Sequence, residues 1–154
     1  MTSISLDQAS TVVDAAIAAG RAADLMPLTV VVLDTGGHMV ALKREDSSGI
    51  LRVEIATGKA YASLGMGVSA RLLRDRLADR PNFVSGISAA ADGKFVAVPG
   101  GVLIRDDNGE IVGAVGISGD ASDKDEYCAI EGVKAAGLAP NPADADPNWR
   151  NAAL

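Results

Sequence analysis

The sequence predicts an α+β domain in which a mainly antiparallel sheet is packed with helices. Three observations carry that prediction. Asp34-Thr35-Gly36-Gly37 and Asp107-Asn108-Gly109 are turn sequences, and each joins two apolar runs as a hairpin would. Those runs are short and rich in β-branched residues, whereas the longer segments beside them carry apolar residues at helical spacing. Hairpins joined by a helical crossover argue against a doubly wound parallel sheet.

The first element is a helix. Ser5-Leu6-Asp7-Gln8 has the form of a capping box, and Leu6, Ala9, Val13, Ala16, Ile17 and Gly20 then make one apolar stripe that ends near Asp24. Pro27 stops it, and Leu28–Leu33 reads as a central strand. After the Asp34–Gly37 turn a second strand runs from His38 to Lys43. A polar loop, Arg44–Ser48, leads into a helix from Gly49 to about Leu64, with one serine expected as its cap. Apolar residues on two sides of that helix imply burial on two sides. Gly58 within it costs about 1 kcal/mol relative to alanine, which suggests another backbone, a packed helix or a ligand passing close by.

Ser69 is placed to cap a short helix that carries Leu72, Leu73 and Leu77 inward and is closed by Pro81. Residues 83–94, rich in Ser, Gly and Ala, read mostly as loop. Three strands follow, Phe95–Val98, Val102–Arg105 and Ile111–Ile117, the last two joined by the Asn108-Gly109 turn. Ser122-Asp123-Lys124-Asp125 is a second capping signature, and the helix it opens stops at Gly137 with Pro140 beyond. The chain reads as one domain over 1–154, with 138–154 an extended tail whose bulky residue, Trp149, is expected to dock on the body or on a neighbouring subunit.

Composition narrows the function. With 48% hydrophobic but 3% aromatic residues, the core must be aliphatic. A net charge of −6 argues against nucleic acid and against anionic lipid as partners. The single cysteine, Cys128, allows neither an intrachain disulfide nor a thiolate-rich metal centre and reads as a small buried residue. The opening MTSISLDQAS has no basic and apolar leader pattern, and no apolar run approaches a membrane-spanning length, so a cytoplasmic location is expected.

Candidate site residues are few. Nucleotide-binding, nucleophile-elbow and zinc-protease motifs are absent from the sequence, and one histidine supports no multi-histidine metal site. Pro99-Gly100-Gly101 is either a tight turn or a place where backbone N–H groups hold an oxyanion. Asp120 and Glu126 flank a helix start, where acidic residues complement the helix dipole or serve a ligand. His38 is a turn residue, a general base or an axial iron ligand. Arg44 and Asp46 are either a salt-bridged pair that fixes a loop or a carboxylate-recognition pair. Lys59, beside Gly58, is either a snorkelling surface lysine or the cation of a pocket.

Taken in order, Val30-Val31-Val32-Leu33-Asp34-Thr35-Gly36-Gly37-His38-Met39-Val40-Ala41, Arg44 with Asp46, Thr57-Gly58-Lys59-Ala60, Pro99–Ile104 and Ile111–Gly119 resemble the GlcG/HbpS family, also described as haem-degrading or PduO C-terminal-like. The resemblance runs from about Leu6 to Gly137. It implies a profilin-like or roadblock-like five-stranded antiparallel sheet packed with helices, assembled as dimers that build tetramers or octamers. It also implies a binding or accessory role toward haem or another tetrapyrrole, with His38, Lys59, Pro99, Gly100 and Gly101 as cofactor-binding candidates. The alternative is an enzyme acting on a small organic acid or carbonyl compound, with Arg44, Asp46, Asp120 and Glu126 as catalytic candidates. Both readings expect the glycine-bearing turns and the strand holding His38 and Arg44 to converge on one cavity.

Overall fold

The computed structural model describes residues 3–154; Met1 and Thr2, which open the stretch read for a leader, lie outside them. The elements in chain order are helix α1 (Leu6–Ala22), strands β1 (Thr29–Leu33) and β2 (Met39–Arg44), helices α2 (Arg52–Met66), α3 (Ala70–Leu77) and α4 (Pro81–Ala90), strands β3 (Gly101–Arg105) and β4 (Ile111–Ser118), helix α5 (Ser122–Ala135) and strand β5 (Ala139–Asn141). A short 3-10 turn at Trp149–Asn151 follows. The strands form one five-stranded sheet in the order β2-β1-β4-β3-β5, and every neighbouring pair is antiparallel. This is the α+β class that the hairpin turns predict.

Alternation along β1 divides the core. Val30 and Val32 face α1 and α5, where they join Val12, Val13, Ile117, Ile130 and Val133. Val31 and Leu33 face the opposite way and meet Ala56, Ala60, Leu103 and Ala114 against α2. Helix α2 lies very close to the sheet because two strand positions lack a Cβ. A Cβ at Gly116 would strike the Ala56 carbonyl, and one at Gly101 would strike the backbone of Lys59. That contact fixes α2 along and around its own axis.

The Ser5–Gln8 capping box forms as expected, with Gln8 N donating to Ser5 Oγ at 3.1 Å and Ser5 N donating to Gln8 Oε1 at 3.1 Å. Ser69 caps α3 through Leu72 N at 3.3 Å. Other local expectations fail for identifiable reasons. Phe95–Val98 is not a strand, because Val96 N donates to the Gly58 carbonyl at 3.2 Å and the Val96 side chain fills the space that Gly58 leaves. Residues 83–94 are largely helix, since Pro81 opens α4 at its first turn instead of closing α3. Val84, Ile87 and Ala91 then pack against Leu73 and Leu77. The fifth strand is therefore β5, which pairs Leu103 with Asn141 and Arg105 with Ala139.

Two helix starts also differ. Helix α2 begins without a side-chain cap, and Ser48 bonds Thr29 across the sheet end at 2.7 Å instead. Helix α5 begins after Ala121 with no capping bond from Ser122, because Asp125 turns inward. Of residues 138–154, three supply β5, and Trp149 stacks on Tyr127 of α5 with ring centroids 3.8 Å apart. No described helix is long and apolar enough to cross a membrane.

Candidate functional site

Lys59 and Asp125 meet where β4 ends and α5 begins. Lys59 Nζ donates to Asp125 Oδ2 at 3.0 Å and to the Ile117 carbonyl at 2.9 Å, and the two side chains are 2% and 1% exposed. Burial lowers the Lys59 pKa and raises that of Asp125 to about 6, while each charge holds its partner ionised. Asp125 Oδ1 accepts from Asp120 N at 3.0 Å, which ties the pair to the strand-to-helix turn. Asp120 accepts in turn from Met26 N at 2.9 Å and Ala121 N at 2.7 Å. Burial acts to raise its pKa, but these backbone donors together with the nearby Lys124 ammonium outweigh it and keep the carboxyl below its usual range.

The Pro99-Gly100-Gly101 turn packs directly on this pair. Gly100, at φ +119°, sits where a Cβ would lie 2.9 Å from both Lys59 Nζ and the Ile117 carbonyl. Its own carbonyl accepts from Ile117 N at 3.0 Å, and all three turn residues are buried. The glycines thus serve the close approach of the turn to a buried lysine.

Glu126, the next residue of α5, is fully buried on the side of α3. Arg71 Nε lies 3.2 Å from Glu126 Oε1, at an angle that makes no hydrogen bond, so neither carboxylate oxygen accepts one. Burial raises the Glu126 pKa to about 7, opposed by the Arg71 charge. Arg71 Nη2 also donates to the Asp144 carbonyl at 2.7 Å. In front of Arg71 lies a groove of about 350 Å³ bounded by Ser69, Leu72, Asp75, Asn141 and Pro142.

Arg44 stands at the same end of the sheet as Gly100 but on the far edge, with β1 and β4 between them. It donates to the Ser48 carbonyl at 3.1 Å. Asp46 does not pair with it. Glu45 fixes this loop, meeting Arg21 at 2.9 Å and accepting from Leu28 N at 2.6 Å. Arg44 and Asp46 do share an open groove of about 440 Å³ with Arg21, Lys43 and Glu45.

His38 lies at the other end of β2, six residues and on the order of 20 Å along the strand from Arg44. The expected single cavity is therefore split within one chain: Lys59, the Gly100 turn, Asp120 and Glu126 come together, Arg44 and Asp46 form a second locus, and His38 a third. The His38 ring is 82% exposed, and its Nδ1 faces Asp34 Oδ1 at 3.4 Å. Asp34 Oδ1 also accepts from His38 N and Gly36 N, each at 2.9 Å, and the His38 backbone bond leads in lowering its pKa. A carboxylate held behind Nδ1 leaves Nε2 as the free ring nitrogen.

Beside His38 the surface turns apolar. The space a Cβ would take at Gly36 is bounded by the His38 ring, and that at Gly37 by the Tyr61 ring. Two hollows that share Tyr61 and Gly65 open there, one of about 150 Å³ over Gly36, Gly37, Tyr61 and Leu64, the other of about 230 Å³ over Tyr61, Met66, Ile87 and Phe95. Lys94 lies over the Tyr61 ring, 4.7 Å from its centroid. Sequence reasoning missed Asp34, Tyr61, Lys94 and Arg71. The Asp34/His38 spacing across a glycine turn was the one readable signal among them.

The fold recurs among solved structures. A PduOC:haem complex superposes with a TM-score of 0.78 at 23% identity, over 88% of this chain and 96% of its own. HbpS superposes at 0.75 with 25% identity, over 87% and 90%. Klebsiella pneumoniae protein ORFY superposes at 0.77 with 19% identity, over 89% and 92%. No curated protein matches in sequence. The family model described as haem degrading protein HbpS-like matches residues 4–134, and the chain belongs to that HbpS-like family.

Proposed function

We propose that this protein is a haem- or tetrapyrrole-binding accessory protein whose ligand lies on the apolar surface between His38 and Phe95. The observation that carries this reading is the Asp34–His38 pair: an exposed imidazole with a carboxylate 3.4 Å from Nδ1, beside the apolar lining of Tyr61, Leu64, Met66, Ile87 and Phe95. The residues fit the group. His38 Nε2 would be the iron donor, the apolar side chains would take the ring, and Lys94 would pair with a propionate. Bound haem would supply its own iron chemistry, and the chain would orient the ring and shield one face from water.

The haem complex and HbpS among the structural neighbours support the same reading. Each hollow is smaller than the roughly 300 Å³ at which ligand sites begin. A second copy of the chain would therefore cover the outer face, in keeping with the oligomers that the family resemblance implies. The enzyme alternative finds no support, because Arg44 and Asp46 stand exposed without pairing, the Asp120 carboxylate is taken up by the Met26 and Ala121 N–H groups, and Glu126 is buried on the side of α3.

Titration with hemin tests the proposal. A saturable Soret shift is expected, and His38→Ala should weaken it at least tenfold while the thermal midpoint stays unchanged. A stoichiometric shift that survives His38→Ala unaltered would remove His38 from the site, and no shift in the native protein would remove the reading.

A further inference from the structure

The α3–β5 groove is built around a cation whose present partner is a poor one. Glu126 is 0% exposed and neither of its oxygens accepts a hydrogen bond, so as an anion it rests on nearby charge, with the offset guanidinium of Arg71 as its one ion-pair partner among the described residues. Such a carboxylate is costly to keep ionised. Arg71 is 22% exposed at the groove. Its Nε faces Glu126 and its Nη2 holds the Asp144 carbonyl, while among the described residues its Nη1 donates to nothing. The cation thus keeps unused N–H groups, and its side chain lines a hollow of about 350 Å³.

We propose that this groove binds a small monocarboxylate on Arg71, and that Glu126 takes up one proton as the anion arrives. The ligand carboxylate replaces Glu126 as the counterion of the guanidinium, and the proton leaves Glu126 a neutral buried acid. Leu72 and Pro142 suit a short apolar body on the ligand, and Ser69 and Asn141 offer polar contacts. Asp75 at the rim disfavours multiply charged anions such as phosphate. This site is separate from the His38 surface and does not depend on haem binding.

Charged groups on the neighbouring elements act on Glu126 in both directions. Arg71 and Arg74 of α3 favour the ionised Glu126, as does Lys59 of α2, while Asp123 of α5 opposes it. Arg21 of α1 and Arg150 beside Trp149 act on Cys128 and Tyr127 instead. Burial still dominates, and the Glu126 pKa of about 7 places the exchange in the neutral range.

Butyrate is the probe, followed by amide shifts at Ser69–Leu72 and Asn141 and by calorimetry. Its affinity should fall about tenfold from pH 6 to pH 8, with close to one proton taken up per anion at pH 8. Arg71→Gln should abolish binding, and Glu126→Gln should make it independent of pH. The proposal is overturned by absence of binding at pH 6, by equal affinity at pH 6 and 8 in the native protein, by binding that persists in Arg71→Gln, or by phosphate binding as tightly as butyrate. Should Glu126→Gln fail to fold, the native pH ratio, the proton count and Arg71→Gln still decide the matter.

Discussion

Lys59 of α2 and Asp125 of α5 form a 3.0 Å ion pair sealed beneath the Gly100 turn, so the two faces of the molecule are joined through the end of the sheet. Removing one partner leaves the other charge buried alone. Lys59→Met is expected to cost about 3–5 kcal/mol in urea unfolding, and Lys59→Met with Asp125→Asn to recover part of that loss. A cost below about 1 kcal/mol for the single variant would mean that the pair contributes little.

Glu126 gives stability a pH dependence of stated sign. Its folded pKa of about 7 exceeds the ordinary value of 4.5, so the folded state binds more protons between those limits. The contribution is complete below about pH 4.5 and is lost as pH rises through 7. Native protein should therefore lose on the order of 2–3 kcal/mol between pH 5 and 8 relative to Glu126→Gln, measured by denaturant titration in both buffers. Parallel curves for the two proteins would contradict this.

Close contact between α2 and the sheet predicts intolerance at Gly116. Gly116→Ala places a methyl group on the Ala56 carbonyl and should cost about 1–3 kcal/mol, read as a lower thermal midpoint. Gly86→Ala, where no atom lies near the added carbon, is the control and should leave the midpoint unchanged or raised.

Asp34→Asn tests the orientation of His38. The backbone N–H bonds from Gly36 and His38 can persist to an amide oxygen, but the charge behind Nδ1 is lost. Hemin affinity should drop about 10–100-fold with little change in stability. An unchanged affinity would show that the carboxylate does not orient the ring.

Much of this architecture was legible in the sequence, and the residues show why some was not. Ser5 with Gln8, Asn108-Gly109 and the β-branched run at Val30–Val32 act through contacts within a few residues, so local reading found them. Phe95–Val98 failed because its backbone donor finds a helix carbonyl at Gly58, a partner nearly forty residues away. Asp125 reads as a surface helix-start acid until Lys59 is brought beside it from another helix. Gly58 was recognised as a position of close backbone approach, but only the fold shows that Val96 makes the approach.

The two margins of the sheet are protected by different chemistry. Strand β5 is three residues long with Pro140 at its centre and Pro142 just beyond, so it has few N–H groups to offer a strand from another molecule. Strand β2, at the opposite margin, is six residues long and ends in Lys43 and Arg44, whose charges discourage stacking against an identical edge. Both features work against open-ended pairing of one sheet edge on another.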